Sequence, residues 1–190
     1  MYHVSNDKRA KISAEMIYSG LIECLEEKSI AELTVTEIAK RSGVGRATFY
    51  RNFDTPEDVL HMKCDACFEE VLKGFLDTYD PDEHERGSLL IYFFGYWMDH
   101  SELLEALAAI NRLDMISECH FKHSQLITKV FKPDADMASD DYIYFMAGRT
   151  GMMTGTLSAW IRTGKKKTPE ELAAFLMDTI DDAAKMDVMI

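Results

Sequence analysis

Apolar residues along this chain of 190 residues recur at helical spacing in almost every segment, and none alternates with period two for long enough to require a strand. Over 7–28, Ile12, Met16, Leu21, Ile22 and Leu25 predict a helix, with Ser5, Asn6 and Asp7 as candidate caps. Residues 29–32 read as a loop. A short helix over 36–42, opened by Thr36, turns Ile38 and Ala39 inward. Gly43 sits where the chain must leave that helix, a position that suits glycine's access to positive φ. Val44 plugs the turn. Residues 45–48 then open a second short helix carrying Phe49 and Phe53 on one side, and the small Ala39 lets the two helices cross closely. This is the pattern of a helix-turn-helix, whose second helix is built to enter a major groove.

Beyond it, Thr55, Pro56, Glu57 and Asp58 combine a hydroxyl cap, a proline suited to the first helical position and two acids at the positive end of the helix dipole. The helix they open should run to about Tyr79, with Val59, Leu60, Met62, Cys67, Phe68, Val71, Leu72 and Phe75 as its apolar face, until Pro81 stops it. The uncharged run LLIYFFGYWM, residues 89–98, predicts a helix buried on most sides. Ser101 and Glu102 open the next, another spans about 115–131, and 133–139 form a loop.

From 139 to 163, acids at the start and cations at the end agree with the helix dipole, while Gly148, Gly151 and Gly155 share one stripe. Glycine inside a helix costs about 1 kcal/mol relative to alanine, so the stripe predicts close approach of another helix. Gly164 ends this helix, and Thr168-Pro169-Glu170-Glu171 starts the last, whose stripe of Leu172, Phe175, Leu176, Thr179, Ile180 and Ala183 wants a partner. Gly148, Gly151, Gly155, Phe175, Leu176 and Ile180 are therefore expected at a four-helix interface between two subunits. The fold class is all-α, with roughly nine helices.

The formal charge of −12 looks wrong for a partner of nucleic acid until its distribution is read. Residues 1–54 hold 8 Lys/Arg against 8 Asp/Glu, and residues 55–190 hold 13 against 25, so the second part carries the whole excess. Within 40–51, Lys40, Arg41, Arg46 and Arg51 stand without any acid, a local cationic segment fit for phosphates. The basic opening Lys8-Arg9-Ala10-Lys11 either reaches phosphates too or is a solvated helix start. Four cysteines are too sparse for a secreted disulfide framework, the first residues lack a signal-peptide core, and the longest uncharged runs are short or interrupted by Arg149 and glycines. These features fit a cytoplasmic protein of two domains, 1–54 and 55–190.

LTVTEIAKRSGVGRATFYRNF, residues 33–53, followed by TPEDVL, resembles the TetR family of bacterial transcriptional regulators. WIRTGKKKTPEELAAFL, residues 160–176, also looks like the end of one TetR subgroup. The resemblance implies a homodimeric, ligand-responsive repressor that binds a short palindromic operator and is not an enzyme. It implies that Arg46, Ala47 and Thr48 face base edges, and that Tyr50, Asn52 and Thr36 touch phosphates, with Arg51 beside them. Members of the family commonly carry a lysine where this chain has Pro56, so one backbone contact is expected to be missing. Phe49 and Phe53 are expected in the core.

The remaining constellations are less specific. Tyr92, Tyr96, Trp97, Phe121, Tyr144 and Met152 could line a cavity for a small, largely apolar or aromatic effector, although a plain core has the same composition. Cys64, Cys67 and Cys119, with His120 and His123, offer an alternative redox- or metal-responsive reading, against which stand ordinary helix-face residues. A further alternative is a helical binding protein or enzyme with a vestigial DNA module. No cofactor motif or catalytic constellation stands out.

Overall fold

Side-chain caps fix most of the helix starts. In the computed structural model, which describes residues 1–80, 85 and 87–185, the helices among those residues are α1 (Lys8–Leu25), α2 (Val35–Ser42), α3 (Arg46–Asn52), α4 (Pro56–Thr78), α5 (Ser88–Asp99), α6 (Ser101–Ala109), α7 (Asp114–Phe131), α8 (Asp140–Arg162) and α9 (Pro169–Lys185). The expected stop at Pro81 lies outside the described residues. Asp7 caps α1 by accepting from the Arg9 amide at 3.0 Å, and Ser139 caps α8 by accepting from the Tyr142 amide at 3.3 Å. Residues 29–32, expected as a loop, instead form a 3-10 turn over Ile30–Glu32, because Ser29 and Glu32 cap each other. The described residues contain no strand, only a single bridge between Tyr2 and Phe53.

The chain divides into two compact units, and α4 contributes to both. The first comprises Met1–Cys67 with Glu105–Met115, the second Phe68–Leu104 with Ile116–Ile190. In the first, Ala14, Ile17, Tyr18 and Leu21 follow the i, i+3, i+4, i+7 rule and face the core with Ile38, Phe49 and Phe53. Ile12 and Met16, expected inward, are exposed by 51% and 43%. Two overlapping apolar stripes run along α1, and packing against α2 selects the one rotated away from them. The contact that enforces this is Gly20, where an added Cβ would lie 2.7 Å from the Ser42 backbone nitrogen.

In the second unit, Phe68, Phe94 and Trp97 are essentially inaccessible. Helices α7 and α8 are joined by three polar rungs: Ser117 with Thr154 at 3.0 Å, His120 with Thr150 at 2.7 Å and Thr128 with Tyr142 at 2.9 Å. As the residue number rises on α7 it falls by nearly the same amount on α8, so the two run antiparallel. Each rung pairs groups that would otherwise lose hydrogen bonds on burial. Along α9 the expected single stripe is split: Leu172, Ala173 and Leu176 are buried, while Phe175 and Ile180 are exposed. No described helix is long and apolar enough to cross a membrane.

Candidate nucleic-acid interface

The reading surface is built from local chemistry. Thr34, not Thr36, caps α2: its hydroxyl oxygen accepts from the Glu37 amide at 3.3 Å, and the Glu37 carboxylate accepts from the Thr34 amide at 2.9 Å. Lys28 pairs with the same carboxylate, and these contacts hold Glu37 down to about 2. Thr36 is left exposed in the first turn, where amides lack intrahelical partners. Gly43 ends α2 at φ +68°, with the Val44 amide donating back to the Ala39 carbonyl at 3.1 Å. Gly45, in extended backbone, then starts α3 in a new direction.

Seven residues are enough to sort α3 into two faces. Phe49 and the following Phe53 are fully buried, 5.7 Å apart between ring centroids, and fix the helix to the core. On the other side Arg46, Ala47, Tyr50 and Arg51 face solvent, spaced i, i+1, i+4, i+5. Thr48 is half-buried and accepts a hydrogen bond from Arg51 at 3.3 Å. Asn52, expected at a phosphate, is only 2% exposed and donates to the Thr48 carbonyl at 2.9 Å, so its side chain supports the helix from inside.

The cations of 40–51 are not equivalent. Arg41 reaches back to the end of α1, donating to Glu27 just beyond it at 2.8 Å and lying 3.6 Å from Glu23 on it. Lys40, Arg46 and Arg51 have no ion pair among the described residues and are exposed. The free cationic surface is therefore narrower than charge counting implies. Sequence reasoning also missed the N-terminal segment, where the His3 amide donates to the Asn52 carbonyl at 2.7 Å and Tyr2 donates to the buried Asp65 at 2.6 Å. No periodicity signals a segment this short.

The six expected effector residues do not line one cavity. Trp97 is sealed in the core, its indole N–H without an acceptor among the described residues; Tyr96 donates to Glu70 at 2.7 Å; Tyr144 is 74% exposed. Tyr92, Phe121 and Met152 border three separate surface depressions. A cavity of about 500 Å³ lies elsewhere in the second unit, lined among others by Phe75, Ile127, Phe131, Tyr142, Phe145 and Arg149. The signal that could have found it was Arg149, the lone charge in the middle of α8.

The expected interface residues also separate. Gly148, Gly151 and Gly155 are exposed, and a Cβ on any of them would meet nothing within 4 Å. Gly151 and Gly155, with Phe175, 55% exposed, border an open groove between α8 and α9, whose floor includes the buried Leu176. All four cysteines are buried and none is in a disulfide. His120 turns to Thr150, and His123 stacks on Phe68 at 6.3 Å.

A solvent-facing recognition helix pinned by two phenylalanines defines the class, a helix-turn-helix DNA-binding domain. Residues 17–61 match the family described as bacterial regulatory proteins, tetR family. An HTH-type transcriptional regulator from Staphylococcus aureus (strain MRSA252) is 23% identical over 154 residues, covering 80% of each chain. In fold, a Listeria innocua protein superimposes with a TM-score of 0.81 at 12% identity, covering 95% of this chain and 96% of that one. A TetR transcriptional regulator from Streptococcus agalactiae 2603V follows with a TM-score of 0.61 at 19% identity, covering 91% and 97%. Residues 17–61 are thus a DNA-binding domain of the TetR type, and over four fifths of its length the chain is similar to HTH-type transcriptional regulators.

Proposed function

We propose that the protein is a homodimeric, ligand-responsive repressor of a short palindromic operator. The observation that carries this reading is the solvent face of α3, where Arg46, Ala47, Tyr50 and Arg51 stand together while Phe49 and Phe53 hold the helix rigid. Arg46 would fork onto guanine, Ala47 and the Thr48 methyl would meet thymine, and Tyr50, Arg51 and Thr36 would bind phosphates. One such helix reads few base pairs, so two copies about one helical turn apart are needed. The open α8–α9 groove, lined by Gly151, Gly155 and Phe175, together with the exposed Gly148 and Ile180 on the same two helices, supports pairing through them. The functional division falls at 54/55, the DNA-reading module before it and the effector and dimer module after it.

The effector would occupy the cavity on α7 and α8, and α4, continuous from one unit to the other, would carry the response. Burial argues against cysteine sensing: Cys64, Cys67 and Cys119 are at most 1% exposed, and a reactive thiol needs access. A gel shift on the gene's own upstream region tests the reading. Binding should be sequence-selective and weaken with salt, and Arg46→Ala should cost about 1–3 kcal/mol of operator affinity. Loss of neither selectivity nor affinity in that variant would overturn it.

A further inference from the structure

The cavity on α7 and α8 is chemically lopsided. Phe75, Leu89, Ile127, Phe131 and Phe145 give it an apolar wall. On α8, Tyr142, Phe145 and Arg149 are spaced i, i+3, i+7 and so line it from one helix face. The Tyr142 hydroxyl is already engaged with Thr128 at 2.9 Å. Arg149 is half-buried, yet it has no hydrogen bond and no ion pair with any described residue. A guanidinium has five donors in a planar fork, and burying one without an anion is costly.

The neighbouring charges do not neutralise it. Among the lining residues, α4 and α5 contribute only Phe75 and Leu89. Asp141 is exposed and lies eight residues before Arg149, about 12 Å along the helix. Asp136 is exposed and accepts from the Ala138 amide at 3.1 Å, and Lys132 at the rim adds a second cation, 5.7 Å over the Phe145 ring. Of the titratable groups that feel Arg149, Tyr142 bonds Thr128, and His120 is kept neutral by its own burial and by that positive charge.

We infer that this cavity takes a monocarboxylate with an apolar body, its carboxylate forked by Arg149 and its body against Phe75, Ile127, Phe131 and Phe145. The volume, about 500 Å³, suits such a molecule. One guanidinium balances one negative charge, and the two rim aspartates disfavour a dianion. The inference rests on the reading of this cavity as the effector site, and names the effector's chemistry.

The test is titration calorimetry of the full chain with decanoate and 2-naphthoate, each against its neutral amide. At least one acid should bind about tenfold or more tightly than its amide. Arg149→Met should erase that preference while leaving amide binding, and Arg149→Lys should keep part of it. The outcomes that overturn the assignment are acids that bind no better than amides, no binding of any of the four, or a preference that survives Arg149→Met. A gel shift with the same acids separates the two ideas. Acids that bind through Arg149 without altering operator affinity would sink the effector reading alone; intact DNA binding with no acid bound would sink only the ligand class.

Discussion

Two sets of helical glycines are used in opposite ways. Gly20 on α1 is pressed against α2 so closely that a methyl group would collide with the Ser42 backbone, whereas Gly148, Gly151 and Gly155 on α8 face open space. The same residue type, at the same helical cost, closes one unit upon itself and leaves another unit with a bare groove. Glycines that no neighbour among the described residues explains fit the proposed pairing with a second chain. The reading unit is thus complete within one copy, while the α8–α9 face supports the proposed pairing of two.

The largest effect expected from breaking this contrast is at Gly151. Gly151→Trp should fold, because its Cβ meets nothing within 4 Å among the described residues and Gly151 borders an open groove, but it should sediment as a monomer. Losing the second half-site should then lower operator affinity by about 10²- to 10⁴-fold. A variant that stays dimeric would place the interface elsewhere. Gly20→Ala should act on the other unit, destabilising it by about 1–3 kcal/mol, since backbone atoms cannot move aside as a flexible side chain can. Hydrogen exchange in α1 and α2 should rise, with α8 and α9 unchanged; unaltered exchange in α1 would show that the contact is looser than drawn.

Over the first pH unit or so of acidification, a smaller effect separates the units by acid. Burial, reinforced by Arg149, lowers His120 from its ordinary 6.5 to about 3. Above pH 6.5 both folded and unfolded states carry neutral His120, and the full stability is present. Between 6.5 and 3 the unfolded state takes a proton that the folded state refuses, so stability falls as pH falls, by about 1.4 kcal/mol per unit. Both tryptophans, Trp97 and Trp160, belong to the second unit, so their emission in urea titrations reports it alone. The midpoint should drop on acidification in the wild type and much less in His120→Gln. Equal acid sensitivity in the two proteins would remove His120 as the cause.

What could be read in advance was local. Gly43, the cap before α2 and the Phe49/Phe53 pair act within a few residues, and the helix-turn-helix follows from them. Even there the cap was misplaced by two positions, because Thr34 and Thr36 are equal candidates until Glu37 selects its partner. The acid-free stretch lost Arg41 to Glu23 on α1 and to Glu27 just beyond its end, and Asn52 turned inward to Thr48. Both changes depend on which helix lies alongside. Aromatic density around Tyr92 and Trp97 suggested a cavity, but those rings fill space; the cavity formed where α7 and α8 set Arg149 among Phe131, Tyr142 and Phe145.

By itself, then, the sequence determined an all-α chain, its helix boundaries within a few residues, the turn that aims a recognition helix, and the segregation of acid away from it. Periodicity, caps and charge are properties of neighbours along the chain. Tertiary structure alone decided which stripe of α1 is buried, which cations remain free, which polar rungs register α7 with α8, and where an arginine goes without an anion. Those outcomes depend on which distant surfaces meet, and many apolar stripes are equally able to pair until packing excludes all but one.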